Sequence, residues 1–475
     1  MFSKNYLFKF FNFIVLSPMC FTTFASDVEE EHRNKSGFKK PLTFERAINT
    51  AQMNDPWLKG SRHKQSALES LSTAANTLPD PKVSIGIANV ASDSFDFTQE
   101  PMSQLKVGVS QMFARGDSLA IKEKQLKIES QQFPYQRQDR QAKVAVTVGH
   151  LWLDAFRVQQ SIALIERNRS LFEQLGDVAE ASYSSAVGKT RQQDIVRAQL
   201  ELTRLEDKLN QLTQQKSSYE GQLLPWVNQE SSESIALHNV YLGDILPDVA
   251  LLKSDIVQNT RWLPPQQLFN YFNKHPSVLA IEKKILAAQT GIALANQKYQ
   301  PAWGLNASYA YRGDDAFGND RADLMSVGVS FDLPLFTENK QDMAVKSAIS
   351  TTEAIKTEKI LLLRQLMASY NAGKGRLLEL NKRKSLFDNR LLPQTRVQAE
   401  ASLTAYTNDD GDFSEVVRAR IAVLNVEIDH LAILVEQKKI QLSLNYLFIA
   451  SIGINGRDNF NSYQHQPSSL GGVEQ

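Results

Sequence analysis

Residues 194–202 read DIVRAQLEL, and residues 415–423 read EVVRARIAV, 221 positions later. Further pairs lie 220 residues apart: Asp55-Pro56 with His275-Pro276, Pro81 with Pro301, and VGVS at 107–110 with VGVS at 327–330. Ordered matches at nearly one offset indicate an internal duplication. We therefore predict the following segments: a first structural repeat at 42–227, a linker at 228–261, a second repeat at 262–452, an N-terminal segment at 26–41 and a C-terminal tail at 453–475.

Each repeat contains two stretches in which apolar residues alternate with small or polar ones. This pattern predicts strands at about 82–90, 104–113, 302–311 and 324–333. About nine residues suffice for a tilted strand to cross a bilayer. Apolar residues facing out and small polar residues facing in are typical of an outer-membrane barrel. A pair of soluble hairpins packed on a helical core would show the same alternation.

Three aromatic residues favour the membrane interpretation. Trp303, Tyr309 and Tyr311 share the apolar face of the third strand, and such residues concentrate at membrane interfaces. Four strands are too few to close a barrel, and an open strand edge is not tolerated in lipid. Strand sharing between copies of the chain is therefore expected, with eight strands in a dimer or twelve in a trimer.

The helices are too long for a compact domain. The segment from about 122 to 186 reads as helix, with a kink expected at Pro134. Apolar residues in these segments repeat with a spacing near 3.5, which is typical of coiled coils. In the first long helix the repeat consists of Val144, Val148, Leu151, Ala155, Val158, Ile162 and Ile165, and in the last helix of Val416, Ala419, Val423, Val426, His430 and Ile433. We expect an antiparallel bundle of coiled-coil hairpins standing on membrane strands, with His430 as a packed or hydrogen-bonded core residue or, alternatively, a pH-sensitive or ligand-binding one.

Residues 1–25 have the order of a secretory signal peptide: basic residues, an apolar stretch, then small residues before Ser26. Cys20, the one cysteine of the chain, lies within this segment, so the mature chain would lack a thiol unless Cys20 is lipidated. After this segment no apolar run approaches the ~18–20 residues of a membrane-spanning helix, which excludes a helical transporter.

Composition and motifs exclude other classes of function. The 475 residues include 53 Lys and Arg against 52 Asp and Glu, so nucleic acid is not an expected partner. The seven histidines form no metal-binding pattern, and no nucleophile motif is present. Gly188-Lys189-Thr190 lacks the upstream glycine of a phosphate-binding loop. We expect no enzyme activity, no metal site and no cofactor.

Charged residues follow both predicted helix breaks. Asp194 and Arg197 have counterparts in Glu415 and Arg418. They could form solvated ion pairs along each helix, worth a few tenths of a kcal/mol. In an oligomer they could instead form rings of charge around a narrow end and filter or close a pore.

Three segments resemble the TolC-type outer-membrane factors, the exit ducts of Gram-negative efflux and type I secretion systems. They are Gly188 through DIVRAQ at 194–199, Gly411 through EVVRAR at 415–420, and LPLF at 333–336. LPDPKVSIG at 78–86 and Pro101-Met102 resemble the branch that serves heavy-metal exporters.

The resemblance implies a homotrimer with a twelve-stranded barrel in outer-membrane lipid and a helical tunnel in the periplasm. It also implies a periplasmic adaptor and an inner-membrane pump of the resistance–nodulation–division type as partners. Adaptor-contacting tips would lie at Gly188, Lys189, Thr190, Asp409, Asp410 and Gly411, and a gate at Asp194, Arg197, Glu415 and Arg418. Expected cargo is heavy-metal cations, with drugs or a secreted polypeptide as alternatives, and a periplasmic scaffold without a pore as a third possibility.

Overall fold

The computed structural model describes residues 41–184, 192–227, 242–408 and 410–451, and the statements below concern these ranges. The predicted signal peptide, nearly all of the N-terminal segment and the predicted tail lie outside them. The helices are α1 (Phe44–Asn54), α2 (Pro56–Ala75), α3 (Ser118–Ser130), α4 (Gln132–Ser184), α5 (Gln192–Val227), α6 (Ser254–Val257), α7 (Pro265–Phe272), α8 (Pro276–Asn296), α9 (Gln341–Leu386), α10 (Leu392–Thr407) and α11 (Phe413–Leu447). The strands are β1 (Lys82–Ala88), β2 (Gln104–Phe113), β3 (Trp303–Tyr311) and β4 (Leu324–Phe331). The prediction of a mainly helical chain with an antiparallel set of strands is confirmed.

The repeated residue–proline pair starts a helix in each half of the chain. The Asp55 carboxylate accepts a hydrogen bond from the Trp57 backbone N–H at 3.0 Å and so caps α2. His275 caps α8 in the same way, with its Nδ1 accepting from the Ser277 N–H at 3.3 Å. Proline follows each cap because the first turn of a helix needs no N–H donor there.

The first long helix is interrupted slightly earlier than the sequence suggests. Gln131 separates α3 from α4, three residues before Pro134, which lies in the first turn of α4. In that turn its missing N–H leaves no hydrogen bond broken. The 53 residues of α4 then continue to Ser184, about 80 Å at ~1.5 Å per residue.

The apolar repeat of α4 faces the interior, as its spacing predicts. Val144, Val148, Ala155 and Val158 are buried, and Trp152 beside them contacts Phe44 at 5.6 Å between ring centroids. In α11 the predicted positions hold less well, because Leu424 is buried where the repeat predicts Val423. A strict 3.5 spacing drifts around a 3.6-residue helix, so a neighbouring residue takes over the interior position.

A single π-helical turn, Phe387–Leu391, separates α9 from α10. The corresponding part of α4 is uninterrupted α-helix. π turns are rare and commonly mark special sites in helices.

The part of the linker that the structure describes is fastened to α9 by a buried lysine. Lys374 is fully buried, and its Nζ donates to the carbonyl oxygens of Ile256 at 3.0 Å and Arg261 at 2.9 Å. The ammonium also lies 5.1 Å from the ring centroid of Trp262, in cation–π contact. Lys374 therefore satisfies one carbonyl group within α6 and one after it, and holds residues 256–262 against α9.

None of the described helices is both long enough and apolar enough to span a bilayer.

Candidate functional site

The four strands form one antiparallel sheet in the order β1–β2–β3–β4. Val107 lies opposite Ile85 on β1 and Tyr309 on β3, and Tyr309 lies opposite Met325 on β4. Opposed residues project from the same face of a sheet. The register therefore places the apolar residues of all four strands side by side, in continuous rows across one face of the sheet. This apolar face consists of Val83, Ile85, Ile87, Leu105, Val107, Val109, Phe113, Trp303, Leu305, Ala307, Tyr309, Tyr311, Met325, Val327, Val329 and Phe331.

The apolar face is uncovered. Ile85 is 74% exposed, Met325 78% and Val329 64%. A contiguous exposed apolar surface of this extent is rare on a soluble monomer and marks contact with lipid or with another protein. The soluble-hairpin interpretation is therefore disfavoured, because in the described part of the chain no helix packs on this face.

Aromatic residues mark both ends of the apolar face. At the end next to the helices, Trp303 lies opposite Phe113 on one side and Phe331 on the other. At the loop end lie Tyr309 and Tyr311. Trp303 and Tyr311 are eight residues apart on β3, about 26 Å along the strand at ~3.3 Å per residue. At the ~40° tilt of barrel strands this spans about 20 Å of membrane, most of the ~25 Å apolar band that aromatic girdles border in outer-membrane barrels.

The opposite face of the sheet carries mostly small or polar residues. Ser84 lies opposite Gly108, Gly108 opposite Ser308, and Ser308 opposite Ser326. The sheet thus has one face suited to lipid and one suited to water.

Both sheet edges are open in the single chain that the structure describes. β1 and β4 each pair with one strand only. Because successive strands alternate in direction, β1 and β4 are antiparallel to each other. The β4 edge of one chain can therefore continue the same antiparallel order with the β1 edge of another.

Arginine side chains join the two loops beyond the sheet. Arg321 donates to the carbonyl oxygens of Glu100 at 3.3 Å and Thr98 at 3.4 Å, and Arg312 donates to the Pro101 carbonyl at 2.8 Å. The loop sequences ASDSFDFTQEPMS at 91–103 and RGDDAFGNDRAD at 312–323 are long, polar and acidic. Their mutual contact was not predicted, because it joins residues more than 200 positions apart.

A polar cluster joins the other end of the sheet to the helices. Arg115, just after β2, forms an ion pair with Asp332, just after β4, and donates to the Gln300 carbonyl at 2.9 Å. Asp332 also accepts from the Ala302 N–H at 2.6 Å. Gly116 has a φ of +45°, and a Cβ at that residue would lie 2.3 Å from Gln297 Oε1. The cluster fixes the helix ends relative to the strands of both repeats.

Of the four charged residues proposed as a gate, two form an ion pair within one helix. Glu415 and Arg418 pair in the first turns of α11, and both side chains are more than half exposed. Asp194 is 5% exposed, whereas Arg197 is exposed. The two copies therefore differ: one acid is buried at the start of α5, and its counterpart faces solvent.

The starts of α5 and α11 nevertheless lie close together. Ala198 of α5 and Phe413, Val416 and Val417 of α11 belong to one apolar cluster. The structure thus brings Asp194 and Arg197 to the same part of the helical bundle as Glu415 and Arg418.

One of the two predicted tips is described. Between α10 and α11, a Cβ on Gly411 would approach the Tyr406 backbone N to 2.6 Å, so glycine is required there. Asp412 caps α11, and Tyr406 packs edge-on against Phe413 with ring centroids 5.6 Å apart. Asp410 and Gly411 are part of this turn, whereas Gly188, Lys189, Thr190 and Asp409 lie outside the described residues.

His430 is half-buried beside the π turn. Its Nε2 lies 2.7 Å from the Asp388 carboxylate, which also accepts from Lys384 at 2.7 Å. These two partners lower the pKa of Asp388, with Lys384 the larger cause. A cleft of about 380 Å³ next to His430 is lined by Leu164, Arg167, Asn168, Leu392, Arg396 and Glu427. His430 thus has a polar partner in Asp388, as expected for a hydrogen-bonded core histidine.

A second histidine, His275, is fully buried within the helical bundle. Its Nδ1 accepts from the Ser277 N–H, so Nε2 donates to the Tyr446 carbonyl at 3.1 Å. The Tyr446 hydroxyl in turn donates to Asp139 at 2.7 Å. Burial lowers the pKa of His275 and raises that of Tyr446. The network links α4, α8 and α11.

Within the described ranges, no group of three or more His, Cys, Asp or Glu residues could hold a metal ion.

Comparisons with known proteins identify the fold. No protein-family model and no curated protein sequence matches the chain. Solved structures do match, and several of them are outer-membrane channels. The outer-membrane channel CmeC of Campylobacter jejuni is 11% identical, with a TM-score of 0.69 over 89% of this chain and 89% of that one.

Two further channels give the same result. The open state of MtrE, an outer-membrane channel of Neisseria gonorrhoeae, is 13% identical and has a TM-score of 0.66 over 85% of this chain and 88% of that one. CusC, described as forming a transmembrane channel, is 12% identical and has a TM-score of 0.68 over 86% of this chain and 92% of that one. The chain therefore has the fold of outer-membrane channel proteins.

Proposed function

We propose that the protein is the outer-membrane exit duct of a tripartite efflux pump: a passive channel, not an enzyme. The observation that carries the proposal is the uncovered apolar face of the sheet, whose aromatic ends are about 26 Å apart along the strand. Lipid would cover that face. The small polar face would line an aqueous pore.

Oligomerisation follows from the open edges. Four strands cannot close a barrel, and joining β4 of one copy to β1 of the next is a head-to-tail contact that generates a ring. Three copies give twelve strands from the four of each chain. The long helices would continue the barrel into the periplasm, since α4 alone extends about 80 Å.

The internal repeat predicts which residues meet between copies. Val83 lies opposite Val109 in the first hairpin, and Leu305 lies opposite Val329 in the second. Because Val109 and Val329 are equivalent, Val83 and Leu305 are equivalent too. We assume that β4 of one copy pairs with β1 of the neighbouring copy in the register in which β2 pairs with β3. The opposed residues between copies are then Phe331 with Val83, Val329 with Ile85, and Val327 with Ile87. Each pair keeps apolar residues on one face.

Cysteine crosslinking tests this arrangement. The double variant Ile85→Cys/Val329→Cys has both new thiols on edge strands that are three strand spacings apart within one chain, about 14 Å at ~4.8 Å per spacing. A disulfide can then form only between copies. Cys20 lies in the predicted signal peptide, so no background thiol is expected.

We expect covalent trimers on non-reducing gels after oxidation of outer membranes. Ile85→Cys/Gly328→Cys is the matched control, because Gly328 belongs to the opposite face, and it should not crosslink. Covalent dimers without trimers would refute the trimer. A purified protein that stays monomeric and soluble without detergent would refute the duct itself.

A periplasmic adaptor and an inner-membrane pump are proposed as partners at the helix tips. The turn at Asp410 and Gly411 and the predicted tip at Gly188, Lys189 and Thr190 would contact the adaptor. Asp194, Arg197, Glu415 and Arg418 would form the gate near those tips; Glu415 and Arg418 would exchange their present pairing for contacts across the ring. Reduced adaptor crosslinking by a variant at Asp410 would support this assignment.

Heavy-metal cations are the cargo that the resemblance at 78–86 and 101–102 implies. A deletion strain should then become more sensitive to metals than to drugs. Greater sensitivity to drugs would favour the same duct with another cargo. A pore-less scaffold would leave the 91–103 loop inaccessible to protease added outside intact cells.

A further inference from the structure

The charged residues of the sheet are of one sign. β1, β2, β3 and β4 together contain two charged residues, Lys82 and Lys106, and no acidic residue. Lys106 lies opposite Gly86 and Ala310, and Lys82 lies opposite Ser110. Both lysines therefore belong to the small polar face, which lines the pore in the proposed duct.

Lys106 projects from a part of that face where its neighbours are small. Neither Gly86 nor Ala310 has a side chain that could cover an ammonium group. Lys106 is exposed, and among the described residues it takes part in no ion pair. An exposed lysine is a cation with three hydrogen-bond donors.

The acidic residues nearest the strand ends are already engaged. Asp332 pairs with Arg115, and Asp323 accepts from the Tyr309 hydroxyl and from the Arg312 N–H. Asp80 lies two residues before Lys82 and partly offsets its charge. Lys106 lies opposite Gly86, which is four residues further along β1 from Asp80 than Lys82 is. The charge of Lys106 therefore has no carboxylate as near as Asp80 is to Lys82.

We propose that three Lys106 side chains form a cationic ring inside the barrel, at which the pore prefers anions over cations. The inference rests on the proposed function, because the ring exists only in a closed oligomer. Rings of Lys or Arg are a known basis of anion preference in pores. The class of solute so favoured is small inorganic anions and anionic organic molecules. Free heavy-metal cations are disfavoured, and a metal would pass more readily as a neutral or anionic complex.

Reversal potentials of the full trimer in planar bilayers under a KCl gradient test the ring. We expect the wild-type channel to favour chloride, and Lys106→Glu to shift the chloride-to-potassium permeability ratio by about twofold or more toward potassium. Lys106→Gln should give an intermediate ratio. Lys106→Arg is the matched control, because it keeps the charge and should keep the wild-type ratio. Trimers on mild gels verify assembly of each variant.

A second measurement uses an anion directly. Inorganic tripolyphosphate added on the loop side should reduce wild-type conductance and have much less effect on Lys106→Gln. Identical reversal potentials for wild type and Lys106→Glu, or equal block of wild type and Lys106→Gln, would overturn the ring while leaving the duct intact. Absence of any conductance from assembled wild-type trimers would overturn the duct and the ring together.

Discussion

Replacing Gly149 with alanine tests the close contact between α4 and α11. A Cβ at residue 149 would lie 2.4 Å from Leu442 Cδ2 and 3.3 Å from the Phe44 ring, whereas carbon atoms normally pack at about 3.5–4.0 Å. Leu442 and Phe44 are 3% and 2% exposed, so neither can turn into solvent. Overpacking a core costs about 1–3 kcal/mol, and alanine gains about 1 kcal/mol in helix propensity. The difference lowers the free energy of unfolding of Gly149→Ala by up to about 2 kcal/mol.

Gly176→Ala is the matched control in the same helix. No atom lies within 4 Å of its added Cβ, so only the propensity gain of about 0.5–1 kcal/mol remains. Far-UV circular dichroism of the detergent-solubilised proteins would rank the apparent unfolding midpoints, with Gly176→Ala highest and Gly149→Ala lowest. A Gly149→Ala protein as stable as Gly176→Ala would show that the α4–α11 contact is looser than described.

A double-mutant cycle isolates the clash from other effects of alanine. Leu442→Ala alone should cost about 2–5 kcal/mol through its cavity. Combined with Gly149→Ala the loss should be less than the sum, because the truncated side chain no longer collides with the new methyl group. Strict additivity would contradict the collision.

Three further predictions concern the linker, the loops and a buried histidine. Lys374→Met removes the donor to the Arg261 carbonyl and leaves the Ile256 carbonyl with only the longer contact from the Tyr370 hydroxyl at 3.4 Å. It should destabilise the chain by about 1–3 kcal/mol, with faster amide exchange at 256–262. Unchanged exchange would show that this segment is held by other contacts. Arg321→Ala removes the donor that joins the two loops and should speed cleavage at 91–103 by protease outside intact cells; equal cleavage rates would show that the arginine does not order the loop. Burial lowers the pKa of His275 in the folded chain. When the pH falls below the ordinary histidine pKa of about 6.5, the unfolded chain therefore takes up a proton that the folded chain does not. The free energy of unfolding then declines. His275→Asn keeps a capping group and should reduce the loss of unfolding midpoint between about pH 7.5 and 5; an identical loss would assign the effect elsewhere, for example to His150.

Local patterns in the sequence were sufficient to predict the strands. Alternation at 105–109 and 324–331 correctly separated the residues of the two sheet faces, because side-chain direction in a strand depends only on position parity. Asp55 and Pro56, which the sequence shows only as part of a repeated pair, mark the start of α2 in the structure. The observed β1 and β4 end two residues before the expected limits of 90 and 333.

Contacts between distant residues were not predictable in this way. β2 pairs with β3 across 190 to 206 positions, and Arg115 pairs with Asp332 across 217. No periodicity in the sequence encodes these contacts. The different environments of Asp194 and Glu415 were also missed, because sequence equivalence does not fix burial. Their neighbours on adjacent helices determine it.

The π turn at Phe387–Leu391 lies between two matched pairs of segments whose spacings differ by one residue. The two VGVS segments are 220 positions apart, whereas EVVRARIAV, beyond the turn, lies 221 positions after DIVRAQLEL. One extra residue in a continuous α-helix would rotate every later side chain by about 100°. A π turn accommodates an extra residue locally. A helix with such a turn can therefore gain one residue and still present the same side to its neighbours.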